Sequence, residues 1–380
     1  MKIVLSGVET KNKGAELMLY AILQEIERQY PDAIVYIPED RLFHKIDYIS
    51  TNIDFRVLPC YTIEKKLRLT SLFRHLNISY RFLPHNLLIG KVDYFLDGSG
   101  FKFSDKHNLT FGYAKHLEML LSAYCKEKTK IVYLPQAFGP FTKLATKESI
   151  NVLGKYSALL MAREKVSFNN LKKTKLVDMS KVRMFSDFTS LVEGVFPTSY
   201  KHLKDGICII PNMRMIDMGA ISFIDYNKLL FAIIKEGRKS GHPIYLLNHE
   251  GHKDENLCMQ CISAIEDNIE VVTNLNALEV KGLIASAYMV ITSRFHGLAS
   301  ALNSCVPSIA TSWSHKYEEL YHDYGLDGYI LPLDDINSAI NLVRKILNMQ
   351  ENKKIRNHLS NQLPKIKAQT REMWNVVWNM

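Results

Sequence analysis

The chain has 380 residues, more than one hydrophobic core usually serves, because cores stop growing near about 250 to 300 residues and longer chains divide. With 47% hydrophobic and 23% charged residues and no low-complexity tract or fixed-period repeat, the composition excludes a disordered, fibrous or solenoid protein. Basic residues outnumber acidic ones 48 to 39, for a formal charge of +9, but no nucleic-acid-binding motif accompanies the excess, so nucleic acid is not the expected partner.

At the N-terminus, MKIVLSGVET carries one lysine and a short apolar run that breaks at Ser6 and Gly7, far short of a secretion-signal core. No stretch reaches the roughly 18 consecutive apolar residues of a spanning helix. A cytoplasmic protein is expected. The first half predicts strands over 2–6, 33–37, 54–58, 92–96, 130–134, 158–162 and 182–185, with helices among them over 14–30 and 109–126. Short β-rich runs alternating with helical periods argue for a parallel sheet covered by helices. Residues 191–205, with Gly194, Pro197 and a Thr-Ser pair, have no clear period and read as a linker. A second series follows, with strands over 207–210, 243–247, 269–272, 288–292 and 307–310 and helices over 226–240 and 297–303. From Asp335 onward the pattern is helical, and Trp374 and Trp378, four apart on one face, would anchor the helix back on the first domain. The expected architecture is α/β, two Rossmann-like doubly wound domains over 1–195 and 196–352 with a C-terminal helix over 353–380 crossing back.

Between Glu64 and Asp93 there is no acid, while Lys65, Lys66, Arg68, Arg74, Arg81 and Lys91 are interleaved with large apolar residues. Residues 65–91 therefore read either as a surface for anionic membrane, where each basic residue contributes about 1 kcal/mol, or as core-facing helix with solvated charges. The six cysteines are dispersed, which suits reduced, buried thiols. Cys258 and Cys261 follow His249 and His252, but no second close cysteine pair completes a metal site, and a structural role is expected.

Ligands of doubly wound sheets bind outside the carboxyl ends of the strands, and candidate residues cluster there. After the first strand, Asn12-Lys13-Gly14-Ala15-Glu16 opens a helix, offering backbone N–H groups, a positive dipole end and the Lys13 charge to an anion. Asp97-Gly98-Ser99-Gly100 ends the fourth strand with two glycines able to turn successive N–H groups toward one anion. The fifth strand exits through Leu134-Pro135-Gln136-Ala137-Phe138-Gly139-Pro140, a stiff loop that would aim Gln136 at the crevice, and the sixth through Ala162-Arg163-Glu164. Asp187 follows the seventh. In the second domain Arg214 stands just past the first strand, and Ser293-Arg294-Phe295-His296-Gly297 closes the strand MVITS. In extended geometry Arg294 and His296 point the same way, an anion clamp beside a titratable imidazole.

Taken together, NKGAE, DGSG, LPQAFGPF, ARE, the arginine of NMR, the loop from His249 to Asp254, SRFHG and the later Lys316 resemble the polysaccharide pyruvyl transferase family, over most of both domains. The resemblance implies a GT-B-like arrangement, phosphoenolpyruvate as donor, and a sugar of a surface polysaccharide or lipid-linked oligosaccharide as acceptor, met in the cytoplasm or on the cytoplasmic face of the inner membrane. No metal or cofactor is called for. Arg294, Arg214, Arg163 and Lys316 would meet the donor's carboxylate and phosphate, and His296 would carry the proton, with Glu16 or Glu164 as the alternative acid. The turn departs from the acidic Gly-Asp form common in the family. A sugar-nucleotide glycosyltransferase or epimerase of the same fold is the nearest rival, and a non-catalytic anion-binding or regulatory protein the other.

Overall fold

The β-branched and aromatic runs form parallel strands in the computed structural model, which describes residues 1–43, 49, 51–263, 269–312 and 315–380. The first sheet holds β1 (Lys2–Ser6), β2 (Ile34–Ile37), β3 (Asp54–Val57), β4 (Tyr94–Asp97), β5 (Lys130–Gln136), β6 (Leu159–Ala162) and β7 (Val182–Met184), in the order β3-β2-β1-β4-β5-β6-β7. The second holds β8 (Ile207–Ile210), β9 (Ile244–Leu247), β10 (Glu270–Val272), β11 (Met289–Thr292) and β12 (Ser308–Ala310), in the order β10-β9-β8-β11-β12. Every central strand is buried on both faces, as parallel sheets covered by helices require. In each sheet the winding reverses between two neighbours, β1 and β4 in one and β8 and β11 in the other. Each reversal opens a crevice at the strands' carboxyl ends. The doubly wound α/β reading of both halves stands.

The chain divides into two compact units, one made of Met1–Lys11, Met18–Phe188 and Thr370–Met380, the other of Asn12–Leu17 and Thr189–Gln369. The C-terminal residues of the first unit belong to the helix Met349–Trp378. Trp378 donates its indole N–H to Glu25 at 3.0 Å, stacks on Trp374 with centroids 5.6 Å apart, and meets Tyr30 and Tyr94 edge-on. The continuous helix expected from 335 is in fact two, Ile336–Leu347 and Met349–Trp378. Asn348 between them is extended, and its side chain accepts from the backbone N–H groups of Gln350 and Glu351, capping the second helix.

The expectation of buried thiols holds for Cys208, Cys258 and Cys261 and fails for Cys60 and Cys125, which are exposed at element ends. On the helix Gly251–Ser263, Cys258 and Cys261 face the core while His252 is exposed and pairs with Glu255. No helix among the described residues is long and apolar enough to cross a membrane.

Gly282, in the helix Ala277–Ala285, sits against the chain that leads into β8: a Cβ built there would lie 2.2 Å from the Val195 carbonyl oxygen. In an open helix Gly→Ala gains about 1 kcal/mol; here the neighbour is backbone and cannot rotate away. Gly282→Ala should therefore destabilise the second unit by about 1–3 kcal/mol. A lower urea midpoint is the expected result, and a higher one would show that this contact is not tight.

Candidate functional site

Within the second unit the residues from β8, β11 and the turn at Asn12 converge. Past β11 the chain is extended only as far as Arg294, which precedes the helix Phe295–Asn303. His296 thus lies in a helical first turn, and the expectation that it and Arg294 project together as on a strand does not hold. The Arg294 guanidinium turns to two carboxylates: Nε donates to Asp254 at 2.9 Å, Nη2 donates to the same oxygen, and Nη1 donates to Glu250. Asp254 is fully buried, and its other oxygen accepts the Met213 backbone N–H at 3.1 Å. Burial pushes the Asp254 carboxyl up and the Arg294 guanidinium down. Their direct contact opposes both shifts, so the two stay charged as a pair.

His296 goes elsewhere. The backbone of Gly14 lies on its imidazole, so closely that a Cβ at Gly14 would stand 2.3 Å from Nδ1. The turn that carries Gly14 is held by its own residues. Asn12 Oδ1 accepts from the backbone N–H groups of Gly14 (2.9 Å) and Ala15 (3.4 Å), Lys13 N–H donates to the His249 carbonyl, and Lys13 Nζ pairs with Glu16 at 2.6 Å. The N–H groups expected to face an anion at this helix start are thus engaged within the protein. Burial raises the Glu16 carboxyl against the opposing charge of Lys13, and Glu16 Oε1 has no hydrogen-bond partner among the described residues.

The remaining candidates of this unit separate by role. Ser293 is buried in a polar knot: its hydroxyl meets Tyr226 (2.6 Å) and Thr311, and its carbonyl accepts from Tyr317 (2.7 Å) and Asn212 (2.8 Å). It fixes the β11 exit and presents nothing to a ligand. Arg214 is exposed and, among the described residues, has no carboxylate partner; its charge reaches both Asp254 and Arg294. Lys316 opens the helix Lys316–Asp323 with its ammonium 5.6 Å from the ring centres of both Phe295 and Tyr317.

In the first unit the strand exits pack on one another. Asp97 accepts from the Ser99 backbone N–H (3.0 Å) and hydroxyl (2.5 Å), and Gly98 N–H donates to Ser6. Gly7, at φ +74°, lies so close to Ser99 that a Cβ there would overlap its hydroxyl at 2.2 Å, and Gly100 also takes a positive φ of +68°. Asp97-Gly98-Ser99-Gly100 is thus folded on itself and on the β1 exit. Gln136 differs: it is fully buried at the end of β5, and neither atom of its amide has a partner among the described residues. Buried amides are nearly always paired, so Gln136 is the ligand-facing candidate of this unit. Its loop is fastened to the helix Lys165–Thr174, where Asn170 donates to the Phe138 carbonyl (2.9 Å) and packs under Gly139, and where Ser167 accepts the Phe138 N–H (2.7 Å). Arg163 is buried, its Nε 3.9 Å from Glu164, and its N–H donates to the Gln136 carbonyl; Asp187 is buried as well.

Reasoning from the sequence missed Asp254 as the partner of Arg294. A signal existed: Asp254, Leu257, Cys258 and Cys261 are the buried residues of their helix, at i, i+3, i+4 and i+7, and an acid in an apolar stripe demands a cation. His249, which the sequence marks only beside the cysteine pair and as the start of the loop to Asp254, belongs to the same cluster. It is buried, and desolvation together with Arg294, His296 and Lys13 pushes its imidazole well below the ordinary 6.5.

A family model described as polysaccharide pyruvyl transferase matches residues 12–315. Among solved structures the chain is similar to the Anabaena protein HepE in complex with UDP and glucose, at 10% identity, with 100% of each chain covered and a TM-score of 0.61. It is similar to the UDP-GlcNAc 2-epimerase of Methanocaldococcus jannaschii in complex with UDP-GlcNAc and UDP, at 14% identity, 100% of each chain and 0.59, and to that of Neisseria meningitidis bound to UDP-GlcNAc, at 11%, 100% of each chain and 0.61. At such identities the likeness is one of fold, and it agrees with the GT-B-like α/β architecture. No match is found among curated proteins.

Two outcomes test this geometry. Gly14→Ala should displace the His296 ring, read as a shift of its imidazole signals in NMR spectra with the other histidines unmoved; an unshifted His296 would mean that the contact is loose. His249 has a folded pKa below its unfolded value, so its contribution to stability is complete above about pH 6.5 and is lost as the pH falls, with a slope of up to about 1.4 kcal/mol per pH unit. In urea unfolding between pH 7.5 and 5, His249→Gln should flatten that slope, and an unchanged slope would place the acid sensitivity elsewhere.

Proposed function

Since the chain belongs to the polysaccharide pyruvyl transferase family, an enzyme that transfers pyruvyl groups, we propose that its donor is phosphoenolpyruvate and its product a cyclic pyruvate ketal on a sugar of a surface polysaccharide, with release of phosphate. The observation that carries the reading is His296 seated on the backbone of Gly14 within the unit that also holds Arg294 and Arg214.

The reaction needs a proton delivered to the methylene carbon of the donor, attack of one sugar hydroxyl on the cationic C2, departure of phosphate with its bond electrons, and attack of the second hydroxyl to close the ketal. An imidazole is matched to the proton steps, because it can give and take a proton near neutral pH, and a ring pinned by a glycine backbone keeps its direction. The donor's carboxylate and phosphate call for cations. Arg214, exposed past β8, is one, and Lys316, at the start of its helix, is a second. Arg294 is the third: Asp254 holds it from the buried side through Nε and Nη2, while Nη1 rests on Glu250, which is about one-third exposed. A donor carboxylate taking the place of Glu250 would leave the Asp254 contact intact. In the first unit Gln136 and Arg163 are assigned to the acceptor. That acceptor is assigned as a lipid-linked sugar met at the cytoplasmic face of the inner membrane, on the strength of the apolar outer surface of residues 61–91.

His296→Asn, which keeps a polar group of similar size without the proton, should lower kcat by roughly 10²–10⁴ and leave donor affinity within a few-fold. Arg214→Ala should instead raise the KM for phosphoenolpyruvate more than it lowers kcat. Both are read as phosphate release in the presence of acceptor glycan. Turnover of a nucleotide sugar in place of phosphoenolpyruvate would sink the proposal in favour of a glycosyltransferase or epimerase, and saturable donor binding without phosphate release would make the protein a binding module.

A further inference from the structure

The first unit contains a cavity of about 380 Å³ at the β1 and β4 exits, with Ser6, Gly7 and Asp97 on its lining, to which the reading above assigns no ligand. Its floor is the carboxyl end of β1 and β4, at Leu5, Gly7 and Phe95; its side wall is the helix Phe111–Lys126, through Leu117 and Leu120; its roof is made by Tyr61, Glu64 and Arg68, with Tyr80 and Leu83 following. At this size, near the low end of ligand cavities of about 300–1,000 Å³, it takes a single hydrocarbon chain of about a dozen carbons and not a polysaccharide chain.

The wall favours hydrocarbon over sugar. Several polar groups that could read hydroxyls are committed to each other: Glu64 accepts the His85 backbone N–H at 2.6 Å and faces its Nδ1 at 2.7 Å, and the Tyr80 hydroxyl lies 3.0 Å from both the Thr70 carbonyl and His116 Nδ1. Burial pushes the His116 imidazole down to about 4, so it adds no charge. Of the other charged lining residues, Lys65 pairs with Asp40, Arg41 lies near Glu9 and Asp40, and Asp97 accepts from Ser99. Val4, Leu5, Leu58, Phe95, Leu117 and Leu120 supply an apolar wall. Two cations on the lining, Arg68 and Lys102, have no carboxylate partner among the described residues, Lys102 lying over the Tyr113 ring at 5.0 Å. The outer face of the same roof exposes Ile63, Leu67, Leu72 and Leu76, and the segment after it Ile78, Phe82, Leu87 and Leu88. Single exposed apolar residues are ordinary, but eight within 26 positions mark a surface that meets something apolar.

We propose that this cavity is a lipid site: it takes the hydrocarbon chain of a phosphate-headed membrane lipid, with Arg68 and Lys102 on the headgroup and the exposed apolar roof lying in the bilayer surface. Apolar chain, anion and apolar surroundings are matched by the three features found together here, and only an amphiphile in a membrane supplies all three. The site shares the exposed surface of residues 61–91 with the acceptor reading above. Lipid binding is measured without donor, acceptor glycan or phosphate release, so either can fail without the other.

The test is calorimetric titration of the full chain with dodecyl phosphate below its micelle concentration. Saturable binding with one molecule per chain is expected. Each buried methylene contributes about fourfold in affinity, so octyl phosphate, four methylenes shorter, should bind on the order of 10²-fold more weakly, and inorganic phosphate not measurably. Leu120→Trp, which fills the cavity from its side wall, should weaken dodecyl phosphate at least tenfold with the thermal midpoint retained. If that variant does not fold, Ser71→Trp at the exposed mouth blocks the same space. Arg68→Glu should weaken binding and reduce its dependence on salt. The proposal is overturned if dodecyl phosphate does not bind, if chain length has no effect, if the filled cavity binds as well as the open one, or if glucose 1-phosphate binds more tightly than dodecyl phosphate, which would make this a sugar-phosphate site.

Discussion

A single buried carboxylate organises the second unit. Asp254 receives two N–H groups of Arg294 on one oxygen and the Met213 backbone N–H on the other, so three segments that are far apart in the chain, the exits of β8 and β11 and the helix Gly251–Ser263, are tied at one point. Taking either charge out of water alone costs several kcal/mol, and removing one partner of such a pair typically costs about 3–5 kcal/mol. The pair is therefore less a source of stability than a constraint: once both groups are inside, their geometry is dictated. Arg214 emerges beside Asp254 because Met213 is pinned to it. The site's cations are placed by an acid.

Where the strand exits meet, backbone replaces side chain as the positioning material. Gly14 permits the first turn of the helix Lys13–Gln29 to lie on the His296 ring, and in the first unit Gly7 permits the β1 exit to lie on Ser99. A methyl group in either place would enforce a separation that the contact does not have. The glycine-rich pieces of both units thus serve close approach more than ligand binding, with their N–H groups turned to Asn12, Asp97 and Ser6. Gln136, which carries a full amide into the interior without a partner among the described residues, is the exception that a ligand would explain.

The basic segment after Glu64 changes character when folded. Lys65 pairs with Asp40, Arg81 with Glu127, and Arg74 donates to the Gly112 carbonyl, so acids and carbonyls distant in sequence take up half of its six charges. Neither of the simple readings is complete. Leu83 and Ile89 do face a core, while Leu67, Leu72, Leu76, Phe82, Leu87 and Leu88 do not. What remains outward is more apolar than basic, and beneath it lies a cavity that no run of residues announces.

Strand positions were legible because a buried parallel strand is a short apolar run bounded by turn residues, a property each stretch carries alone: 92–96 and 288–292 correspond to Tyr94–Asp97 and Met289–Thr292. Doubly wound topology followed from their alternation with helices, and the gathering of Arg294, His296 and Arg214 at carboxyl ends followed from topology. The break at Asn348 was lost because a cap is a local preference that helical periodicity on either side overrides by eye. Only the tertiary structure decided which groups face one another: that Arg294 belongs to Asp254 and Glu250, that His296 belongs to Gly14, that Ser293 is a knot and not a ligand contact, and that Lys65 is neutralised by Asp40. The reason is physical. Hydrophobic periodicity is written along the chain and survives averaging over neighbours, whereas an ion pair or a hydrogen bond depends on angstrom-scale distances between residues that only the folded packing brings together.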